Sequence, residues 1–254
     1  MSDDWNFYLC RVDDQPASIF VNLGIRKLVP MRDLNTLIWL RLHMLDPRPD
    51  GLSSKEEFES LSVIEDMLCD TVGVDVTDAR YVGRNTSDGC RDYYFYSSNG
   101  ADTEKRLSIA MVRYGEYEFE TGSRSDEDWS AYLGFLYPSP RAYQTIQNRR
   151  LLEYLERNGD LPHVEREITH WIYFSCPIKR RDFVEHVSRL GYRVVDQRDD
   201  AEGENKFSLT IGRVSAADTS TINNSVLALY DLAVEYGADY DGWETSIEKT
   251  TERG

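Results

Sequence analysis

The chain has 254 residues, of which 29% are charged and 41% hydrophobic, and it carries a net charge of −16. That composition excludes a collagen-like fibre and wholesale disorder, and the length fits one or two folded domains. With 45 acidic against 29 basic side chains, direct nucleic-acid binding is not expected, because such binding draws on cations that displace counterions from phosphates.

Asn6 to Cys10 and Ser18 to Leu23 are apolar-rich around the polar Asp13-Asp14-Gln15-Pro16, which predicts a β-hairpin. Thr36 to Leu45 opens as an apolar run and then alternates, with Leu40, Leu42 and Met44 on one face and Arg41 and His43 on the other, the period of a strand. After the breaker Asp46-Pro-Arg-Pro-Asp-Gly51 a helix is expected. Ser53 or Ser54 would cap it, Glu56 and Glu57 would sit in its first turn, and Gly73 would close it. Phe58, Leu61, Ile64 and Leu68 follow its 3.6-residue period, with Glu65 as a polar intruder. Asp88-Gly89 lies between the strand-like runs Ala79–Asn85 and Cys90–Tyr96, a hairpin signal because both residues tolerate positive φ. A helix over Asp102–Arg113 and a strand over Tyr117–Glu120 follow, then a polar loop from Gly122 to Asp128 and Trp129.

Tyr137-Pro-Ser-Pro140 marks the expected boundary, with Pro140 suited to the first position of a helix that ends near Asn158-Gly159. The pattern then restarts: a strand at Thr169–Phe174, a helix at Lys179–Leu190, and a strand at Tyr192–Val195. An acidic turn at Asp199–Asn205, a strand at Phe207–Ile211, a helix from Asp218 to Tyr236 and a strand at Tyr240–Ile247 complete it. Strand, helix, strand, strand, helix, strand therefore occurs twice, from about 36 to 121 and from about 168 to 247. The expected fold class is α+β: two ferredoxin-like (split βαβ) modules, each an antiparallel sheet with helices on one face. The domains expected are 1–139, with the extra N-terminal hairpin, and 140–254. Residues 1–140 carry 14 basic and 25 acidic side chains, a net of −11, and residues 141–254 carry 15 and 20, a net of −5; neither half is basic.

No segment reaches the ~18 apolar residues that span a bilayer, so no membrane association is expected. The acidic start Met1-Ser2-Asp3-Asp4 is not a signal peptide, which points to the cytoplasm. Cys10, Cys69, Cys90 and Cys176 are far apart with no Cys-x-x-Cys pair, so free thiols are expected, and neither a metal nor another cofactor.

Arg150-Leu-Leu-Glu-Tyr-Leu-Glu156, Asn158-Gly159-Asp160, Ile168-Thr-His170, Leu190-Gly-Tyr-Arg-Val-Val-Asp196 and above all Ala238-Asp-Tyr-Asp-Gly-Trp-Glu-Thr245 make the second half similar to the regulator of ribonuclease E activity B family. Trp5-Asn-Phe-Tyr8, Pro16-Ala-Ser-Ile-Phe20, Tyr81 to Gly89 and Tyr137-Pro-Ser-Pro140 make the first half resemble an uncharacterised domain found ahead of that regulator in bacterial proteins. The resemblance implies a protein inhibitor, without enzymatic activity, that docks on the endoribonuclease and modulates RNA decay.

Chemistry-bearing residues are sparse. His170 beside Trp171 reads as structural, and His43, His163 and His186 lack the spacing of a metal pair. Cys90 and Cys176 have no base named by the sequence. Two clusters combine acids with aromatics: Asp126, Asp128 and Trp129, and Asp239, Tyr240, Asp241, Trp243 and Glu244. They are the expected contact residues for a protein partner, ribonuclease E or another basic protein, with rings as anchors and carboxylates meeting arginines. Gly242 would mark a bulge or a close backbone approach. Two alternatives stand beside this reading. One is a small-ligand-binding protein or enzyme using Arg84, Asn85 and Asp88 in a groove between the modules; the other is an immunity-type protein that neutralises a toxin.

Overall fold

The computed structural model describes residues 3–73, 78–199 and 207–249. The chain divides into two compact units, one ending at Ser139 and the other beginning at Pro140, each a mixed α+β structure on an antiparallel sheet.

In the first unit the hairpin strands β1 (Trp5–Val12) and β2 (Gln15–Asn22) pair antiparallel. Their turn is the two residues Asp13 and Asp14, with φ of 47° and 62°, so Gln15 and Pro16 belong to the strand and not to the turn. β3 (Thr36–His43) precedes α1 (Phe58–Val72), β4 (Ala79–Ser87), β5 (Cys90–Ser97), α2 (Gly100–Met111) and β6 (Phe119–Ser125). The sheet order is β1-β2-β4-β5-β3-β6. Its last four strands have the split βαβ topology, and the hairpin extends the sheet beyond β4 through β2. Ile38, Leu40 and Leu42 of β3 and Tyr93 and Phe95 of β5 share one core with Leu61, Ile64 and Leu68 of α1 and Leu107 and Met111 of α2.

Two local expectations are corrected. The first helix starts at Phe58, not after Ser53 or Ser54. Ser54 Oγ accepts from the Glu57 N–H at 3.1 Å, and the Glu57 carboxylate accepts from the N–H groups of Leu45 (2.8 Å) and Asp46 (2.9 Å), tying the chain ahead of the helix to the segment that leaves β3. Phe58 is left exposed. The strand expected at Tyr117–Glu120 runs instead from Phe119 to Ser125, because the polar residues of an edge strand need only one paired side. The polar intruder Glu65 accepts hydrogen bonds from Tyr81 (2.8 Å) and Arg84 (2.6 Å to Oε2) in a nearly buried cluster.

In the second unit α3 (Pro140–Arg157) leads, followed by β7 (Arg166–Phe174), α4 (Pro177–Arg189), β8 (Arg193–Asp199), β9 (Phe207–Ser215), α5 (Thr219–Glu235) and β10 (Ala238–Thr245). The acidic turn expected at Asp199–Asn205 lies almost wholly outside the described residues. Asp218 caps α5, its carboxylate accepting from the N–H groups of Ser220 and Thr221, both at 3.0 Å. The sheet order β10-β7-β9-β8 is again that of a ferredoxin-like module. Strict alternation along β7 buries Ile168, His170, Ile172 and Phe174. Ile168, Ile172 and Phe174 join Leu155, Phe183, Val187, Ile222, Val226 and Leu229 from the three helices in one core.

Candidate functional site

β10 is an edge strand, and among the described residues it pairs with β7 alone. Its register shifts between Tyr240 and Gly242, where Gly242 takes φ of 132°. The bulge expected from the glycine is therefore present, and it has a consequence for the side chains. Uninterrupted alternation would place Tyr240 and Trp243 on opposite faces. The extra residue brings both inward, and both join the core of the unit.

Two of the five expected contact residues therefore lie largely within the core of the unit. Tyr240 donates to or accepts from His170 Nδ1 at 2.8 Å, and Trp243 Nε1 donates to Asn148 Oδ1 at 2.8 Å, so both rings have their polar atoms engaged inside the unit. His170 is buried, and burial, with Arg213 adding to it, lowers its pKa to about 3. It is a neutral core histidine. Asp239, Asp241 and Glu244 are the exposed members of the cluster. Beside them a groove of about 650 Å³ follows the β10 edge, with Tyr143, Arg150 and Tyr154 of α3 contributing to its wall together with Trp171, Asp241 and Glu244. Trp171 and Tyr173 are half-buried and alternate with the core residues of β7, so they occupy the sheet face away from the helices. Tyr240 and Trp243 also border this groove, but the more exposed rings there are Tyr143, Tyr154 and Trp171, which the sequence pattern did not single out.

The other expected cluster is also turned inward. Trp129 is fully buried with φ of 55°, its indole stacked on Tyr96 at 3.8 Å between centroids and 2° between planes. Asp126 is buried, and its carboxylate accepts from Tyr96 Oη (2.5 Å), Ser130 N (2.9 Å), Ser130 Oγ (2.6 Å) and Ala131 N (3.0 Å). These bonds outweigh desolvation and hold its pKa below the usual carboxylate range. Asp128 alone of the three is exposed. The segment fastens the chain after β6 to the sheet, a structural task and not that of a projecting loop.

Arg84, Asn85 and Asp88 do not converge. Arg84 is committed to Glu65 and lies over the Phe20 ring at 4.4 Å. Asn85, its neighbour on β4, is buried and points to the opposite face. Asp88 is exposed in the hairpin turn with φ of 51°.

The four cysteines are free. The sheet register brings together a group that the sequence alone could not. Cys90 Sγ lies 3.6 Å from His43 Nδ1, and His43 Nε2 lies 3.6 Å from Glu120 Oε1, three residues from three adjacent strands. Burial raises the Cys90 pKa against the opposing pull of Arg41, so the thiol is held protonated and lacks the activation a nucleophile needs. Among the described residues no group of three or more His, Cys, Asp or Glu side chains could hold a metal ion, and no helix is long and apolar enough to cross a membrane.

The fold and these surfaces define a protein of two ferredoxin-like α+β units with an acidic, aromatic-flanked edge on the second. Residues 3–137 match the family of unknown function DUF695, more than half of the chain, and the chain belongs to that family. Residues 145–245 match the family described as regulator of ribonuclease activity B, whose description implies regulation of ribonuclease activity. No curated protein is a significant match. Among solved structures, an unknown protein from Galdieria sulphuraria is 12% identical, with 84% of this chain and 99% of that chain covered at a TM-score of 0.23. A putative glycine cleavage system transcriptional repressor is 9% identical, with 84% and 98% covered at a TM-score of 0.23. Likenesses this distant carry no argument about fold or function.

Proposed function

We propose that the chain is a cytoplasmic, non-enzymatic regulator that docks the β10 edge of its C-terminal unit on a basic surface of a ribonuclease, ribonuclease E being the first candidate. The observation that carries this reading is the groove along the edge strand β10, where exposed Asp241 and Glu244 sit beside Tyr143, Tyr154 and Trp171. Rings supply contact area at low conformational cost, and carboxylates at the rim select lysine- and arginine-bearing partners and speed encounter. The match of residues 145–245 to a family of ribonuclease regulators supports the choice of partner class.

The test is binding of the purified chain to purified ribonuclease E, with cleavage of a labelled RNA measured in parallel. Asp241→Lys with Glu244→Lys weakens binding at least tenfold, relieves inhibition, and leaves the unfolding midpoint in place. Affinity also falls as salt rises from 50 to 300 mM. No binding at low salt, or reversal variants that bind and inhibit as the parent does, would overturn the reading.

A further inference from the structure

The face of the first sheet opposite α1 and α2 is only partly covered. The segment from Trp129 to Leu136 lies over one side of it, ending in a π-helical turn from Tyr132 to Leu136. Tyr132 Oη donates to the Asn22 carbonyl at 2.8 Å, and Tyr8 Oη donates to the Leu136 carbonyl at 3.1 Å, which hold the segment down. What remains open is a cleft of about 660 Å³ between that turn and the strands β3, β5 and β6.

Three aromatic rings form its walls. Trp39 lies flat across β6 because position 122 is glycine: a Cβ there would stand 2.4 Å from the indole Cζ2. Tyr94 meets Phe135 of the turn edge-on, with centroids 5.8 Å apart and planes at 64°. Two guanidinium groups and one carboxylate set the charge of the lining. Arg41 is neutralised in place by Asp92, with Nε to Oδ1 at 2.7 Å and Nη2 to Oδ2 at 2.9 Å. Asp126, just before Ser130 in the chain, is occupied by the donors described above and does not line the cleft. Arg124 is exposed and makes no hydrogen bond or ion pair with any described residue. In a unit whose sequence is strongly acidic, one uncommitted cation faces a cleft walled by flat rings.

We infer that this cleft of the N-terminal unit binds a planar aromatic or heteroaromatic ligand bearing a single carboxylate or phosphate. The ring lies against Trp39 and Phe135, and the anion meets Arg124. Ring stacking on aromatic faces supplies sequence-independent contact energy, and the guanidinium fork selects carboxylate and phosphate geometry. Concave, mostly apolar sites with a few polar groups that fix orientation are the usual form of small-molecule sites. The inference uses neither the residues nor the unit of the proposed docking edge, so each stands or fails without the other.

Calorimetric titration of the full chain with two probes, indole-3-acetate and adenosine monophosphate, tests it, with indole-3-acetamide and tryptamine as the neutral and cationic counterparts. At least one anionic probe binds saturably, and indole-3-acetamide and tryptamine bind at least tenfold more weakly than indole-3-acetate or not at all. Arg124→Gln, on an exposed edge-strand position, abolishes the preference for the anion, whereas Arg113→Gln on the exposed surface leaves it intact. Trp39→Leu weakens the acid and the amide alike. Saturable binding of neither anionic probe, equal binding of acid, amide and amine, or an unchanged preference in Arg124→Gln would each refute the inference.

Discussion

Replacing Trp243 distinguishes a core residue from a contact residue. Its side chain is 9% exposed and its indole N–H donates to Asn148, itself 1% exposed. Truncation to alanine removes a large buried ring, which costs about 3–5 kcal/mol through lost transfer energy and the cavity left behind. It also leaves the Asn148 carbonyl oxygen without this donor. Trp243→Phe keeps most of the volume but loses the hydrogen bond and a few buried ring atoms, at about 1–3 kcal/mol. Asp241→Asn, on the exposed side of the same strand, changes stability by less than ~0.5 kcal/mol. The order of destabilisation is therefore alanine, phenylalanine, then the aspartate variant near zero. Urea unfolding of the full chain, with hydrogen exchange reporting on β7 and β10, reads this directly. At a slope of roughly 1–3 kcal/mol per molar urea, the alanine variant shifts the midpoint of the second unit by about 1 M or more. A Trp243→Ala chain that unfolds with the parent while losing its partner would show that the ring is a contact anchor after all.

Two further outcomes follow from buried titratable side chains in the same unit. The Asp160–Arg166 pair, at 2.6 Å with side chains 3% and 4% exposed, is further held by Arg166 donating to the Leu161 and Val164 carbonyls. Asp160→Asn strands the guanidinium and lowers stability by about 3–5 kcal/mol, whereas Asp160→Leu combined with Arg166→Met recovers part of that loss; a urea-measured cost below ~1 kcal/mol for Asp160→Asn would contradict the geometry. His170 is depressed from 6.5 to about 3 in the folded chain, by burial first and by Arg213 second. The unfolded chain therefore binds its proton first, and the contribution is full above about pH 6.5 and drains as pH falls towards 3, at a limiting slope on the order of 1.4 kcal/mol per pH unit. His170→Phe flattens the urea midpoint between pH 6 and 4.5 relative to the parent, and an equal slope in both chains would refute the assignment.

The order of elements could be read from the sequence because hydrophobic period switches between 2 and 3.6 at each boundary, and the split βαβ pairing follows from that order. The hairpin turns at Asp13-Asp14 and Asp88-Gly89 carry local chemistry that favours positive φ. What was not legible depends on non-local partners. Glu57 resembles a first-turn helix residue until the chain just after β3 offers it the backbone N–H groups of Leu45 and Asp46. Glu65 looks like a flaw in an apolar stripe until β4 brings Tyr81 and Arg84 to it. His43 and Cys90 are 47 residues apart and meet only through strand register. In the candidate site the acids of β10 were legible, but one inserted residue reversed the direction of Trp243. Trp129 takes a φ that bulky residues avoid, held there by stacking on Tyr96, and no local pattern announces it.

The bulged edge of β10 has a bearing on self-association. A sheet that ends in a strand paired on one side only offers the backbone of its other side as a template to another extended chain, including a second copy of itself. Here a kink and outward negative charges oppose such templating, since two copies brought edge to edge would face each other with like charge. The carboxylates proposed to meet a cationic partner would thus also disfavour edge-to-edge pairing of two copies. Charge-reversal variants at this edge should accordingly be checked by light scattering for aggregation, since reversing only some of those charges gives adjacent copies opposite signs.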